Sequence, residues 1–84
     1  MSYYFNGDYM KTTHKQKYTL LGLNIAYYRK LNGYTQEAFA EKLNIDRTTV
    51  SKIELATCRV SLDLLFDISD LLNVPMNKLF DFRE

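Results

Sequence analysis

Apolar positions fall at helical spacing along most of this chain. Leu21, Ile25, Tyr28 and Leu31 recur at i, i+4 and i+7 with one further step. That stripe predicts a first helix from about Leu20 to Asn32, with Thr19 as its cap and Gly33 as its stop. Arg29 and Lys30 fall in its last turn, where cations suit the helix dipole. Phe39, Ala40 and Leu43 share one face of a second helix, Gln36–Leu43, capped by Thr35. Val50 and Ile53 do the same for a third, Arg47–Glu54, with Asp46 as its N-cap. Asn44-Ile45-Asp46 makes the turn between them, and asparagine tolerates the left-handed backbone such a turn needs. Leu62, Leu65, Ile68 and Leu72 predict a fourth helix from Ser61, its cap, to about Leu72, ended by Asn73. Pro75 opens a fifth, Met76 to about Phe82. The fold class is therefore all-α, with five helices.

The third helix has an unusual outer side. At about 100° per residue, Arg47, Thr48, Ser51 and Lys52 gather opposite Val50 and Ile53. The set holds two cations, two hydroxyls and no carboxylate. A short helix backed by another, with a donor-rich side facing out, suits the major groove of DNA.

These residues resemble the helix-turn-helix of the phage repressor and Cro-like family, also called the XRE family. The resemblance is carried by Thr35-Gln36-Glu37, Phe39-Ala40-Glu41-Lys42-Leu43 and Thr48-Thr49-Val50-Ser51-Lys52-Ile53-Glu54, and runs from about Leu21 to Phe80. It implies a five-helix lambda-repressor-like domain whose second and third helices form the DNA-reading unit. It also implies an ion pair between Arg29 and Glu54, and a phosphate contact from Gln36 at the start of the second helix. Two departures stand out. A glycine is common in the family where Ala56 stands, and a proline where Val60 stands. A different path for the loop after Glu54 is therefore expected.

Composition adjusts this picture. Eighty-four residues make one domain with a small core. No apolar run approaches the ~20 residues of a membrane span, and no secretory signal is visible. One cysteine allows no internal disulfide, which suits a reducing cytoplasm. Net charge is only +1. Its distribution is uneven: residues 1–60 carry nine Lys/Arg against five Asp/Glu (+4), and residues 61–84 two against five (−3). A basic front and an acidic back orient the molecule towards a polyanion.

Residues 1–17 show no helical or strand period and are set apart from a domain at 18–84. Tyr3, Tyr4, Phe5 and Tyr9 make the segment aromatic. Three readings stand: a loose tail, a segment docked on this chain or a partner subunit, and a DNA-touching arm using Lys11, Lys15 and Lys17. His14 has no second ligand at metal spacing and reads as solvated. Cys58 reads as a half-buried small residue rather than a redox switch. The row Asp63, Asp67, Asp70 reads as a solvated helix face.

No Gly-rich phosphate loop, nucleophile elbow, HExxH or CxxC occurs. No enzyme, metal, cofactor or small-molecule ligand is expected. The expected function is sequence-specific double-stranded DNA binding that regulates transcription, as a repressor on a near-palindromic operator. Arg47, Thr48, Ser51 and Lys52 would read bases, and Thr35, Gln36 and Arg59 would hold phosphates. A homodimer is expected, since one short helix reads few base pairs, with Leu64, Leu71, Met76, Phe80 and Phe82 as its apolar interface. The other reading is a protein-interaction module, antitoxin-like, using the same scaffold without strong DNA contact. Modest net charge, the acidic last third and the aromatic N-terminal segment favour it.

Overall fold

A computed structural model describes residues 10–82. Its helices are α1 (Lys15–Leu31), α2 (Gln36–Leu43), α3 (Arg47–Glu54), α4 (Leu62–Leu72) and the one-turn α5 (Met76–Leu79). Among the described residues there is no strand. Ile25, Phe39, Val50, Ile68, Leu72 and Leu79 are the largest fully buried side chains, so all five helices contribute to one core.

The second and third helices lie where the apolar pattern places them. Thr35 and Ser61 cap as expected: their side-chain oxygens accept from Ala38 N–H at 3.0 Å and Leu64 N–H at 3.1 Å. Asp46 is the N-cap of α3 by backbone position, but its side chain makes no capping hydrogen bond. Its carbonyl alone receives the first-turn N–H groups of Thr49 and Val50.

Helix α1 begins more than a turn before Leu20. Nothing between His14 and Leu20 breaks a helix. Thr19 does not cap; its hydroxyl donates back to the Lys15 carbonyl at 2.9 Å, a bond made inside a helix. Residues 15–17 therefore belong to the helical body rather than to a tail. Met10 is also buried. The aromatic residues Tyr3, Tyr4, Phe5 and Tyr9 lie outside the described residues.

Leu31 is not core; it is 67% exposed. Two successive i+3 steps from Ile25 carry it about 120° round the helix, off the buried stripe. The inward position near the end of α1 goes to Arg29. Leu62 likewise stands out of the stripe that Leu65, Ile68 and Leu72 form, because it sits in the first turn of α4 beyond the edge of the core.

Four helices end in the same way. The amide after each left-handed residue reaches back five positions: Tyr34 to Arg29, Ile45 to Ala40, Thr57 to Lys52 and Val74 to Ser69, all within 2.9–3.1 Å. The left-handed residues are Gly33, Asn44, Ala56 and Asn73. Glycine and asparagine tolerate positive φ, whereas an alanine Cβ does not. Ala56 (φ 60°) nevertheless adopts the left-handed turn. Its methyl group is buried, and its carbonyl accepts from Lys15 Nζ.

Gly22 sets the distance between α1 and α3. A Cβ there would lie 2.6 Å from the Ile53 carbonyl oxygen and 2.7 Å from that of Glu54. Glycine inside a helix costs roughly 1 kcal/mol against alanine, and here it lets two backbones touch.

Candidate nucleic-acid interface

Helix α3 buries Val50 and Ile53 and turns its other side to solvent. Arg47 and Thr48 are exposed, and Ser51 and Lys52 are half-buried beside them. The four residues expected to read bases are thus brought together on one outer side. Helix α2 packs across the inner side, and Phe39 and Ala40 supply its buried contacts. The turn between the helices is closed by Asn44 in the left-handed region, at φ 59° and ψ 44°.

The expected ion pair is present and deeply placed. Arg29 Nε donates to Glu54 Oε2 at 2.6 Å and Nη2 to Oε1 at 3.1 Å, a two-pronged contact between planar groups. Arg29 Nη1 donates to the Tyr34 carbonyl at 2.7 Å. Both side chains are 8% exposed. No buried side-chain nitrogen or oxygen among the described residues lacks a partner. The pair ties α1 to the last residue of α3 and so fixes how far α3 projects.

Of the residues expected at phosphates, Thr35 and Gln36 flank the start of α2. Thr35 is exposed. Gln36 is engaged within the chain: its Nε2 donates to Glu54 Oε1 at 2.9 Å, and its Oε1 accepts from Arg47 Nη1 at 3.2 Å. Arg59 lies in the loop between α3 and α4 and donates to the Lys11 carbonyl at 2.7 Å. That bond and the bond from Lys15 to Ala56 fasten the start of the described chain to this loop.

The residues expected at a subunit interface do not form one exposed group. Leu64, Leu71, Met76 and Phe82 are half-buried against the core, and Phe80 is 41% exposed. The outward apolar surface of this region lies instead on Leu62 (62% exposed) and Phe66 (49%), together with Phe80. A groove of about 510 Å³ runs between Tyr18 and Leu21 on one side and Leu62, Phe80 and Phe82 on the other.

Cys58 is half-buried. Burial pushes its thiol up, against the smaller opposing pull of the Lys52 charge. A raised thiol is a poor nucleophile at neutral pH. His14 and the row Asp63, Asp67, Asp70 are exposed. Among the described residues, no group of three or more His, Cys, Asp or Glu side chains is placed to hold a metal ion.

Sequence reasoning missed Gly22 and Asn24, and it placed Lys15 in the supposed tail as one cation of a DNA-touching arm. Gly22 carried a usable signal, since a lone glycine in a helical stripe often marks a close approach. Asn24 carried none; its amide donates to the carbonyls of Leu79 and Asp81, at 2.9 and 3.0 Å, and ties α5 to α1.

The profile of a family described as helix-turn-helix matches residues 25–79, more than half of the chain. The chain belongs to the XRE-type helix-turn-helix family of transcriptional regulators. This helix-turn-helix protein is 38% identical over 58 residues to the uncharacterized HTH-type transcriptional regulator YazB of Bacillus subtilis, covering 69% of this chain and 84% of that relative. It is 35% identical over 60 residues to the uncharacterized HTH-type regulator MJ0272 of Methanocaldococcus jannaschii, covering 71% and 91%. Its structure resembles the restriction–modification controller protein C.AhdI of Aeromonas hydrophila, with a TM-score of 0.76 and 25% identity over 82% of this chain and all of the other. It also resembles a hypothetical transcription factor, NHTF, from Neisseria, with a TM-score of 0.73 and 25% identity over 80% and 75%. The helix-turn-helix protein is thus a DNA-binding regulator by family. No helix among its described residues is long and apolar enough to cross a membrane.

Proposed function

We propose that the protein is a cytoplasmic transcriptional repressor that binds a near-palindromic operator as a homodimer. The observation that carries this reading is the outer side of α3, where Arg47, Thr48, Ser51 and Lys52 stand opposite the buried Val50 and Ile53. In this reading α3 lies in the major groove. Arg47 and Lys52 donate to guanine O6 and N7, and Thr48 and Ser51 meet base edges or a thymine methyl group. Thr35 and the first N–H groups of α2 meet a phosphate.

Pairing follows from the small footprint of one helix. Two copies related by a two-fold axis place their reading helices about 34 Å apart, one turn of DNA. Leu62, Phe66 and Phe80 are the exposed apolar side chains on which such a contact would centre, and Leu64, Leu71, Met76 and Phe82 are the half-buried apolar side chains of α4, α5 and the chain after them that it would also engage.

The test is a fluorescence-anisotropy titration against the DNA upstream of the protein's own gene, beside a scrambled duplex, at two salt concentrations. Tight, salt-weakened binding to the upstream duplex alone is expected. Arg47→Ala and Lys52→Ala should each reduce it. Intact binding in both variants would remove α3 as the reading element. No binding by the native protein to either duplex would favour the interaction-module reading.

A further inference from the structure

Lys15 occupies the first position of α1. A cation is disfavoured there, because the start of a helix is the positive end of its dipole. Its ammonium instead donates to the carbonyl of Ala56, one residue past the C-cap of α3 and beside the negative end of that helix. Arg59, further along the same loop, donates through Nη2 to the Lys11 carbonyl at 2.7 Å. Met10, just before, is 5% exposed. Two ties of opposite sense therefore join residues 10–15 to the α3–α4 loop. One runs from a side chain of the segment to the backbone of the loop, the other from a side chain of the loop to the backbone of the segment. They bridge 41 and 48 positions of sequence. Both Lys11 and Lys15 precede residues 25–79, which the family profile matches.

The loop has little else in its own backbone to fix its course. Ala56 holds a left-handed φ of 60°, which an alanine Cβ resists, and Val60 lacks the fixed φ that a proline would supply. A loop without such constraints samples more conformations, and ordering it on DNA has an entropic cost. We propose that Lys15 and the Lys11 carbonyl brace the loop after α3, and so position Arg59 to hold a DNA phosphate. This rests on the DNA-reading role assigned to α3 above. A guanidinium carries five donors in a planar fork, of which the Lys11 carbonyl takes one, and the same fork suits phosphate oxygens. Lys15 acts through the loop, unlike a cation of a DNA-touching arm, which would meet the nucleic acid itself.

Lys15→Met is the informative variant. It keeps length and helix propensity and removes the tie to Ala56. It should leave α1 intact, since it takes a cation away from the positive end of a helix. Cys58, half-buried in the loop, reports on the brace in the free protein through its rate of alkylation by iodoacetamide. Loss of a nearby cation would by itself raise the thiol and slow that reaction, so acceleration reports an opened loop. The rate should rise roughly two- to tenfold, the change that one net hydrogen bond gives. A preferred duplex is then selected from a randomised pool by the native protein. Its binding is measured against salt for native protein, Lys15→Met, Arg59→Ala and the double variant. Arg59→Ala should weaken binding and lower the salt slope by about one phosphate contact. Lys15→Met should weaken binding roughly two- to tenfold when Arg59 is present, and by less than about twofold once Arg59 is gone.

Additive losses, with a slope lowered by about two contacts in the double variant, would make Lys15 a DNA contact in its own right and overturn the proposal. An unchanged alkylation rate in Lys15→Met would overturn it too, as would native affinity in Arg59→Ala. If the native protein enriches no sequence, the DNA reading and this role fall together; an enriched sequence bound equally well by native protein and Lys15→Met removes this role alone.

Discussion

The junction of α1 with α3 and the outer edge of α4 and α5 use opposite kinds of surface. At the junction, charged and polar side chains are bonded across the helices: buried Arg29 to Glu54 and Tyr34, half-buried Gln36 to Glu54, and exposed Lys15 to Ala56. Gly22 removes the last side chain that would keep the two backbones apart. At the edge, Leu62, Phe66 and Phe80 stand in solvent. Hydrogen bonds are directional, so the junction specifies one position for α3 relative to α1. Apolar contact is non-directional and roughly proportional to area, so the edge favours association without dictating its geometry. The proposed function would use both: a rigidly presented α3, and a surface open to a second copy.

The largest expected effect comes from breaking the junction. Glu54→Ala leaves Arg29 charged and buried without its partner, a change that typically costs about 3–5 kcal/mol. Urea denaturation should show the loss, and Arg29→Met combined with Glu54→Leu should recover much of it, because replacing both partners with apolar groups avoids the stranded charge. If the double variant is as unstable as the single one, the pair is holding the helices by geometry rather than by charge compensation.

Next in size is Gly22→Ala. The added methyl meets backbone carbonyls that cannot turn aside, and overpacking of this kind costs about 1–3 kcal/mol. Helix propensity alone predicts a gain, so the sign of the change in melting temperature decides between the two. Because Glu54 must move with α3, DNA affinity should fall further than stability does.

A gain is expected at Ala56. It is the one non-glycine, non-asparagine residue among the four left-handed helix ends. Ala56→Gly should relieve roughly 1–2 kcal/mol of backbone strain, partly offset by the buried methyl it removes, up to about 0.8 kcal/mol. A small rise in melting temperature is the expected result; a fall would mean that the methyl contact outweighs the strain.

The smallest effect on stability belongs to the edge. Exposed apolar side chains contribute little to a monomer's fold, and Leu62→Ser with Phe66→Ser should change it by about 0.5 kcal/mol or less. The same pair of changes should shift sedimentation from dimer to monomer and weaken operator binding. A native protein that sediments as a monomer well above its DNA-binding concentration would separate the edge from pairing altogether.

The reading unit was legible because its signals are local. Thr35 and Asn44 are read from residue type and position, and the structure gives them the capping and left-handed roles expected. Val50 and Ile53 lie one turn apart on a short helix, where an apolar stripe has no room to drift. The first helix was harder. Its start was hidden because Thr19 has the residue type of a cap but bonds within the helix. Its end was read correctly, but repeated i+3 steps carry Leu31 off the core side, and Arg29 takes the inward place. The residues expected at an interface are less exposed than their pattern suggests. Hydrophobicity counted Leu64, Leu71 and Met76 as surplus, while the core absorbs part of each.

Periodicity, caps and turn residues determined five helices, their order and the donor-rich outer side of α3, since each depends on neighbours within a turn or two of sequence. Family resemblance added the Arg29–Glu54 pair. The tertiary structure decided what depends on distant segments meeting. It set Gly22 against the end of α3, Lys15 and Arg59 across the loop before α4, and Gln36 between Glu54 and Arg47. Such contacts join residues 11 to 48 positions apart. A helical period records which side of each helix is buried, but not which side chain of another helix waits there.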